Sequence, residues 1–246
     1  MMEVSHLVIG RGEIGKSVIE LLNTKHTNVV TYDVQGGLNK AVPVELGVMH
    51  ICFPYSDDFV KQVREYILKY KPKHVIVWST VAIGTCREIR HGVVHSPVEG
   101  RHPQLAFSIR ISVRWIGSTN KRELKFFDQM FQQDFGLETQ VVTNSDFTEA
   151  LKLLSTSLYG INLVFADYVE KVAKTIGMDY DLSKLWNADY NRLYERLDMT
   201  QFKKYVLDAP QGSIGGHCIL PNAAILNEQH PDELLDLILE MRPKHE

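Results

Sequence analysis

Gly10-Arg11-Gly12-Glu13-Ile14-Gly15 follows a short apolar run, His6-Leu7-Val8-Ile9, and opens a helical pattern from Lys16 to Asn23. A strand that ends in this glycine spacing and feeds a helix is the turn that holds a dinucleotide. One glycine makes the tight turn, one lets backbone approach a pyrophosphate, and one lets the helix pack closely on the strand. The start of the helix, with Glu13 and Ile14, offers free N–H groups and a positive dipole end to the phosphates. Beyond it, Asn28 to Tyr32 is a β-branched and aromatic run that ends at Asp33, 18 residues after Gly15. A carboxylate there accepts ribose hydroxyl protons and repels a 2′-phosphate. Gly10, Gly12, Glu13, Ile14, Gly15 and Asp33 therefore form a candidate site for NAD rather than NADP.

The alternation continues. Val48 to Phe53 and His74 to Trp78 are further strand-like runs. Between them, Ser56-Asp57-Asp58 can cap a helix through Tyr70, with Phe59, Val60, Val63, Ile67 and Leu68 as its apolar stripe. Gly92 to His95, Ser108 to Ile116 and Thr139 to Val142 read as more strands, and Lys121 to Phe135 as a helix. Strands separated by helices predict parallel pairing with right-handed crossovers. The fold class is α/β, with residues 1–143 as a doubly wound Rossmann domain. The character changes after Thr143. Asp146 to Thr175 reads as one long helix without proline, interrupted in composition only by Gly160. Leu182 to Leu197 and Pro231 to Met241 read as helices, and Ala209 to Pro221 as a loop. Residues 144–246 are expected to form a mainly helical domain.

Composition narrows the function classes. Net charge is −3, so no basic field advertises nucleic acid or an anionic membrane surface. No apolar stretch is long enough to span a bilayer, and Met1 to Gly10 lacks the basic and apolar segments of a signal peptide. The three cysteines, Cys52, Cys86 and Cys218, are too few and too scattered for a disulfide framework or a zinc cluster, which fits a reducing cytoplasm and no metal.

Gln211-Gly212-Ser213-Ile214-Gly215-Gly216-His217-Cys218-Ile219-Leu220-Pro221 is the second unusual segment. Glycines around a cysteine let backbone approach a ligand and leave the thiol accessible. Cys52, inside a strand-like run, reads as packing, and Cys86 can be read the same way. With Gly215-Gly216-His217-Cys218, three more stretches carry a resemblance: Ser79-Thr80-Val81-Ala82-Ile83-Gly84-Thr85 after the fourth strand, Glu149-Ala150-Leu151-Lys152 at the start of the long helix, and the glycine turn itself. Together and in this order they resemble the UDP-glucose/GDP-mannose dehydrogenase family, over nearly the whole chain.

That resemblance implies a double oxidation of a sugar primary alcohol with NAD, through an aldehyde captured by cysteine, a thioester, and hydrolysis. Cys218 would be the nucleophile. Lys152 would stabilise the oxyanion, and Thr80 would position water. Ser79 and Thr80 would lie beside the cofactor, and Glu99, Thr156, Gly215 and Gly216 beside a small-molecule substrate such as a sugar nucleotide. The family's long helix builds a dimer, so residues 146–175 are expected to pair two copies.

Several positions depart from the family. Its aspartate four residues after the cysteine is Asn222, which cannot act as a base, and its asparagine one turn after the lysine is Thr156. Its Pro-Glu element is blurred at His95-Ser96-Pro97-Val98-Glu99-Gly100. The family's third domain, which grips the nucleotide, has no counterpart before Glu246. Two alternatives therefore stand beside the first reading. One is a single hydride transfer like that of the 6-phosphogluconate and β-hydroxyacid dehydrogenases, with Lys152 as acid/base and Cys218 dispensable. The other is an NAD-binding protein without catalysis.

Overall fold

The computed structural model describes residues 4–100, 103–211, 214 and 218–241. Its sheet contains β1 (His6–Ile9), β2 (Val29–Asp33), β3 (Gly37–Leu38), β4 (Val48–Ile51), β5 (His74–Val77), β6 (Val94–His95), β7 (Arg114–Gly117) and β8 (Thr139–Val142). Their spatial order is β3-β2-β1-β4-β5-β6-β7-β8. Strands β2, β1, β4, β5 and β6 are mutually parallel, as the alternation predicts. All-parallel pairing does not hold at the edges. β3 folds back on β2, and β7 runs antiparallel to β6, so the sheet is mixed.

Strand residues alternate between two cores. Val8, Val48, Ile76 and Trp78 enter one cluster with Val18, Leu21 and Phe127; Leu7, Ile9, Met49, Ile51, Val75 and Val77 enter the other with Phe59 and Val63. Period two on the strands thus builds both faces of a doubly wound domain. Helices α1 (Glu13–Leu22) and α5 (Lys121–Gln129) cover the first face, and α2 (Phe59–Tyr70) and α3 (Thr85–Ile89) the second. On α2 the expected stripe holds at Phe59 and Val63, while Leu68 is exposed; Asp58 is the N-cap residue but makes no side-chain cap bond. Strand order reverses between β1 and β4, which flank one another after β2. In open sheets of this kind ligands bind at the carboxyl ends beside that reversal.

One strand expectation fails. Ser108 to Ile116 is not one strand: Leu105–Ile111 is a helix, α4, and only Arg114–Gly117 pairs in the sheet. The apolar spacing Leu105, Ile109 satisfies a helix that packs on α1 as well as a strand. The helix from Lys121 stops being α-helical at Gln129 and continues to Asp134 as a π-helical turn.

The chain divides into two compact units, Met1–Lys152 and Leu153–Glu246. The long helix α6 (Ser145–Ile176) runs across that division. Its first turns belong with the sheet because Thr148 and Glu149 bond to residues around β5 and β6. In the second unit, α7 (Tyr180–Arg196) is followed by a 3-10 turn at Thr200–Phe202, α8 (Ile219–Gln229) and α9 (Glu233–Glu240). α8 was expected as loop as far as Pro221; proline in a helix's first turn costs no backbone bond, so the helix starts at Ile219. Gly160 has a packing reason. A Cβ there would come within 2.9 Å of Ile219 and Ile238 side chains, so its absence lets α8 and α9 close on α6. Among the described residues no helix is long and apolar enough to cross a membrane.

Candidate functional site

The glycine turn is tightly built. Gly10 follows β1 with φ +95°, and its N–H donates to Tyr32 O. A Cβ there would sit 2.9 Å from the Cys52 and Phe53 backbone, so only glycine fits. At Gly15 a Cβ would run into the Gly10 carbonyl, which is how α1 comes close to β1. At Gly12, the N-cap residue of α1, a Cβ would meet nothing within 4 Å. The open side of Gly12, which makes no side-chain cap, and the positive dipole end of α1 leave room for a pyrophosphate, so these residues fit a dinucleotide. Glu13 is exposed and Ile14 is half-buried against the core.

Asp33 stands at the end of β2. Its Oδ2 accepts the Arg11 N–H at 2.7 Å and its Oδ1 accepts the Gln35 N–H at 3.1 Å. The bond from Arg11, then that from Gln35, holds its carboxyl below the usual range, with the Arg11 charge adding to them against partial burial. Asp33 is therefore an anion suited to accepting ribose hydroxyls.

A second cluster lies at the carboxyl ends of β5 and β6. Ser79 is buried, and its hydroxyl donates to Phe53 O at 2.6 Å, tying together the segments after β4 and β5. Thr80, next in the chain, is half-buried. His95 bridges two elements. Its Nε2 lies 3.2 Å from Ser79 O and its Nδ1 lies 2.9 Å from Thr148 Oγ1 on α6. With Nε2–H donating to the Ser79 carbonyl, a neutral ring leaves Nδ1 to compete with Ser145 O, 2.9 Å away, for the one proton of the Thr148 hydroxyl. Burial pushes His95 down to about 3; the Ser79 carbonyl opposes this, and the charges of Lys152 and Arg114 reinforce it. Lys152 is half-buried, and its charge reaches this histidine.

Glu149 is fully buried. Its two carboxylate oxygens accept the Gly84 N–H at 2.6 Å and the Cys86 N–H at 2.8 Å. Gly84 is the N-cap of α3 with φ +94°, so a side chain on α6 caps another helix and pins the Thr80–Gly84 segment. Burial raises the Glu149 carboxyl, and the two N–H bonds pull it back. Arg114, also fully buried, donates from Nη2 to Pro97 O and lies 5.7 Å from the Trp78 ring centre. Burial lowers it to about 10, and the charge of exposed Glu99 counteracts that. His95, Glu149 and Arg114 were not singled out as site residues from the sequence. The one local signal was position, His95 standing at a strand end directly before Ser96-Pro97.

In the second unit Cys218 is exposed and is the N-cap residue of α8. Cys52 and Cys86 are buried, and burial pushes both thiols well up. Two of the positions that depart from the resemblance meet: Asn222 Nδ2 donates to Thr156 Oγ1 at 3.2 Å, joining α8 to α6 through a neutral pair. Gly215 and Gly216 lie outside the described residues. Among the described residues no group of three or more His, Cys, Asp and Glu is placed to hold a metal.

A Rossmann domain followed by a helical unit that begins with a long helix is the fold of the nucleotide-sugar dehydrogenases. Three solved structures share it with this chain. UDP-D-ManNAc dehydrogenase from Pyrococcus horikoshii has a TM-score of 0.75 at 16% identity, over 96% of this chain and 68% of its own. A UDP-glucose dehydrogenase from Pyrobaculum islandicum gives 0.73 at 17%, over 97% and 68%. Mycobacterium tuberculosis 3-hydroxyisobutyrate dehydrogenase gives 0.69 at 12%, over 97% of this chain and 92% of its own. This chain thus spans about two thirds of the sugar-nucleotide enzymes and nearly all of the hydroxyacid enzyme. No family model and no curated protein sequence matches.

Proposed function

We propose that this chain is an NAD-dependent oxidoreductase acting on the primary alcohol of a sugar or sugar nucleotide. The observation that carries the proposal is the glycine cradle, open at Gly12 and closed by an ionised Asp33. Bound NAD would supply the hydride acceptor. Lys152 would hold the negative charge that develops on the substrate oxygen. Cys218 would add its sulfur to the aldehyde carbon, loss of a second hydride and a proton from that adduct to a second NAD would leave a thioester, and Thr80 would position the water that cleaves it to the acid and the free thiol. Glu99, Thr156, Gly215 and Gly216 would border the substrate. Asn222 has an amide where a base would be, so it would orient a group rather than take its proton. A thiol with these duties suits a reducing compartment.

The test combines NAD calorimetry with NADH and product assays over sugar nucleotides and free sugars. Acid production abolished by Cys218→Ala, with NAD binding kept, supports the reading. Acid still formed by that variant sinks the cysteine step, and no NAD binding sinks the whole proposal. A second reading, single hydride transfer with Lys152 as acid/base, is favoured by the neutral Asn222–Thr156 pair and by the 92% coverage of the hydroxyacid enzyme. Its product is a carbonyl compound with no acid, and it is indifferent to Cys218→Ala. NAD binding without turnover of any alcohol leaves a binding protein.

The proposal extends to a homodimer through residues 146–175. Phe147, Leu151, Leu154, Leu158, Phe165, Tyr168 and Val172 are exposed and recur every three, four or seven residues along α6. That is a coiled-coil-like seam, which a helix without a partner would leave in water. Light scattering should give twice the chain mass, and Leu158→Glu with Phe165→Glu should give the monomer. A wild-type monomer at micromolar concentration refutes it.

A further inference from the structure

The ribose end of the cradle carries a cation as well as its carboxylate. The Arg11 guanidinium lies against the β2–β3 hairpin, where a Cβ on Gly36 would run into its Nη2. Nη2 reaches Gly37 O at 3.5 Å, and no other hydrogen bond or ion pair engages the fork among the described residues. Its charge is felt by Asp33, the carboxylate proposed above to take the ribose hydroxyls. Asp33 alone would repel a 2′-phosphate. Asp33 with Arg11 beside it leaves that end electrically neutral, and a guanidinium fork bonds phosphate oxygens in pairs.

We infer that Arg11 lets this site take a 2′-phosphorylated dinucleotide, so that NADP binds within about tenfold of NAD. This rests on the dinucleotide reading above and deepens it. The carboxylate serves the 2′-hydroxyl of one cofactor, and the guanidinium serves the 2′-phosphate of the other. Gly36 belongs to the device, since a side chain there would displace the fork.

Calorimetry on the full chain, with NAD, NADP and the fragments 5′-AMP and 2′,5′-ADP, tests it without turnover. The wild type should bind NADP within about tenfold of NAD. Arg11→Ala should weaken NADP and 2′,5′-ADP by at least roughly tenfold while changing NAD and 5′-AMP less than about threefold. Arg11→Lys should recover part of the loss, and Gly36→Ala should reproduce it. A wild-type preference for NAD above tenfold overturns the inference and leaves the NAD site standing. So does an Arg11→Ala variant whose NADP-to-NAD ratio does not move. Failure of NAD itself to bind removes the dinucleotide reading together with the inference.

Discussion

Lowering the pH from 7.5 to 5.0 offers a proton to His95 that the unfolded chain accepts and the folded chain refuses. In the unfolded chain the imidazole titrates near its ordinary 6.5, and in the fold burial pushes it down to about 3. The folded value lies below the unfolded one, so the stability tied to this group is complete above about pH 6.5 and drains away as pH falls toward about 3. At pH 5 the unfolded chain gains about 2 kcal/mol from protonation that the folded chain lacks. Any folded value of about 4 or below gives nearly the same figure, because the folded ring is neutral at pH 5 in every such case. His50 acts in the same direction. It is fully buried, its Nδ1 accepts from Trp78 Nε1 at 3.1 Å, its Nε2 lies 3.0 Å from His6 Nδ1, and burial lowers it well below 6.5.

The assay is urea unfolding at both pH values for the wild type and His95→Gln. Glutamine keeps a donor toward Ser79 O and removes the titrating ring. It should cost about 1 kcal/mol at pH 7.5, because the ring's contact with Thr148 Oγ1 is lost while that hydroxyl keeps Ser145 O as its acceptor. Its loss between pH 7.5 and 5.0 should be smaller than the wild type's by about 2 kcal/mol. Equal losses in both proteins would refute the reasoning, since they would mean that His95 takes up its proton in the folded state.

Two further expectations follow from the site. Gly12→Ala should leave thermal stability within about 0.5 kcal/mol, because its methyl meets nothing, yet weaken NAD by at least roughly tenfold in calorimetry; Gly15→Ala should destabilise the fold by at least about 2 kcal/mol, because its methyl meets the Gly10 carbonyl. Glu149→Gln should lower stability by about 2 kcal/mol in urea unfolding, since each carboxylate oxygen accepts one N–H and the amide nitrogen would face a donor; an unchanged midpoint would contradict that geometry.

Much of this protein is legible in local sequence. The strand–turn–helix at Gly10–Gly15 and the acid at Asp33 depend on residues close in the chain and on the conformational freedom of glycine, and the structure realises the turn as read. Helix α6 was readable because no proline interrupts Asp146 to Thr175, and the structure is helical from Ser145 to Ile176. Short runs were not. Leu105–Ile111 carries a pattern that either a helix or a strand can bury, and the choice falls to its packing against α1. The reversal of β7 is likewise a pairing decision between distant segments.

The site divides in the same way. The glycine setting singles out Cys218, and the resemblance carried by Ser79–Thr85 and Glu149–Lys152 implies Thr80 and Lys152. Sequence cannot say that His95 joins Ser79 to Thr148, that Glu149 caps a helix 65 residues away, or that Asn222 and Thr156 bond to each other. Nor does it show Arg11 lying over Gly36 beside Asp33. Each of these is a contact between distant segments, and burial, which only the fold creates, makes such contacts strong. The chain by itself determined a glycine turn between strand and helix with an acidic residue at the next strand's end; the tertiary structure decided which charges surround it, because electrostatic environment depends on distance through space and not along the chain.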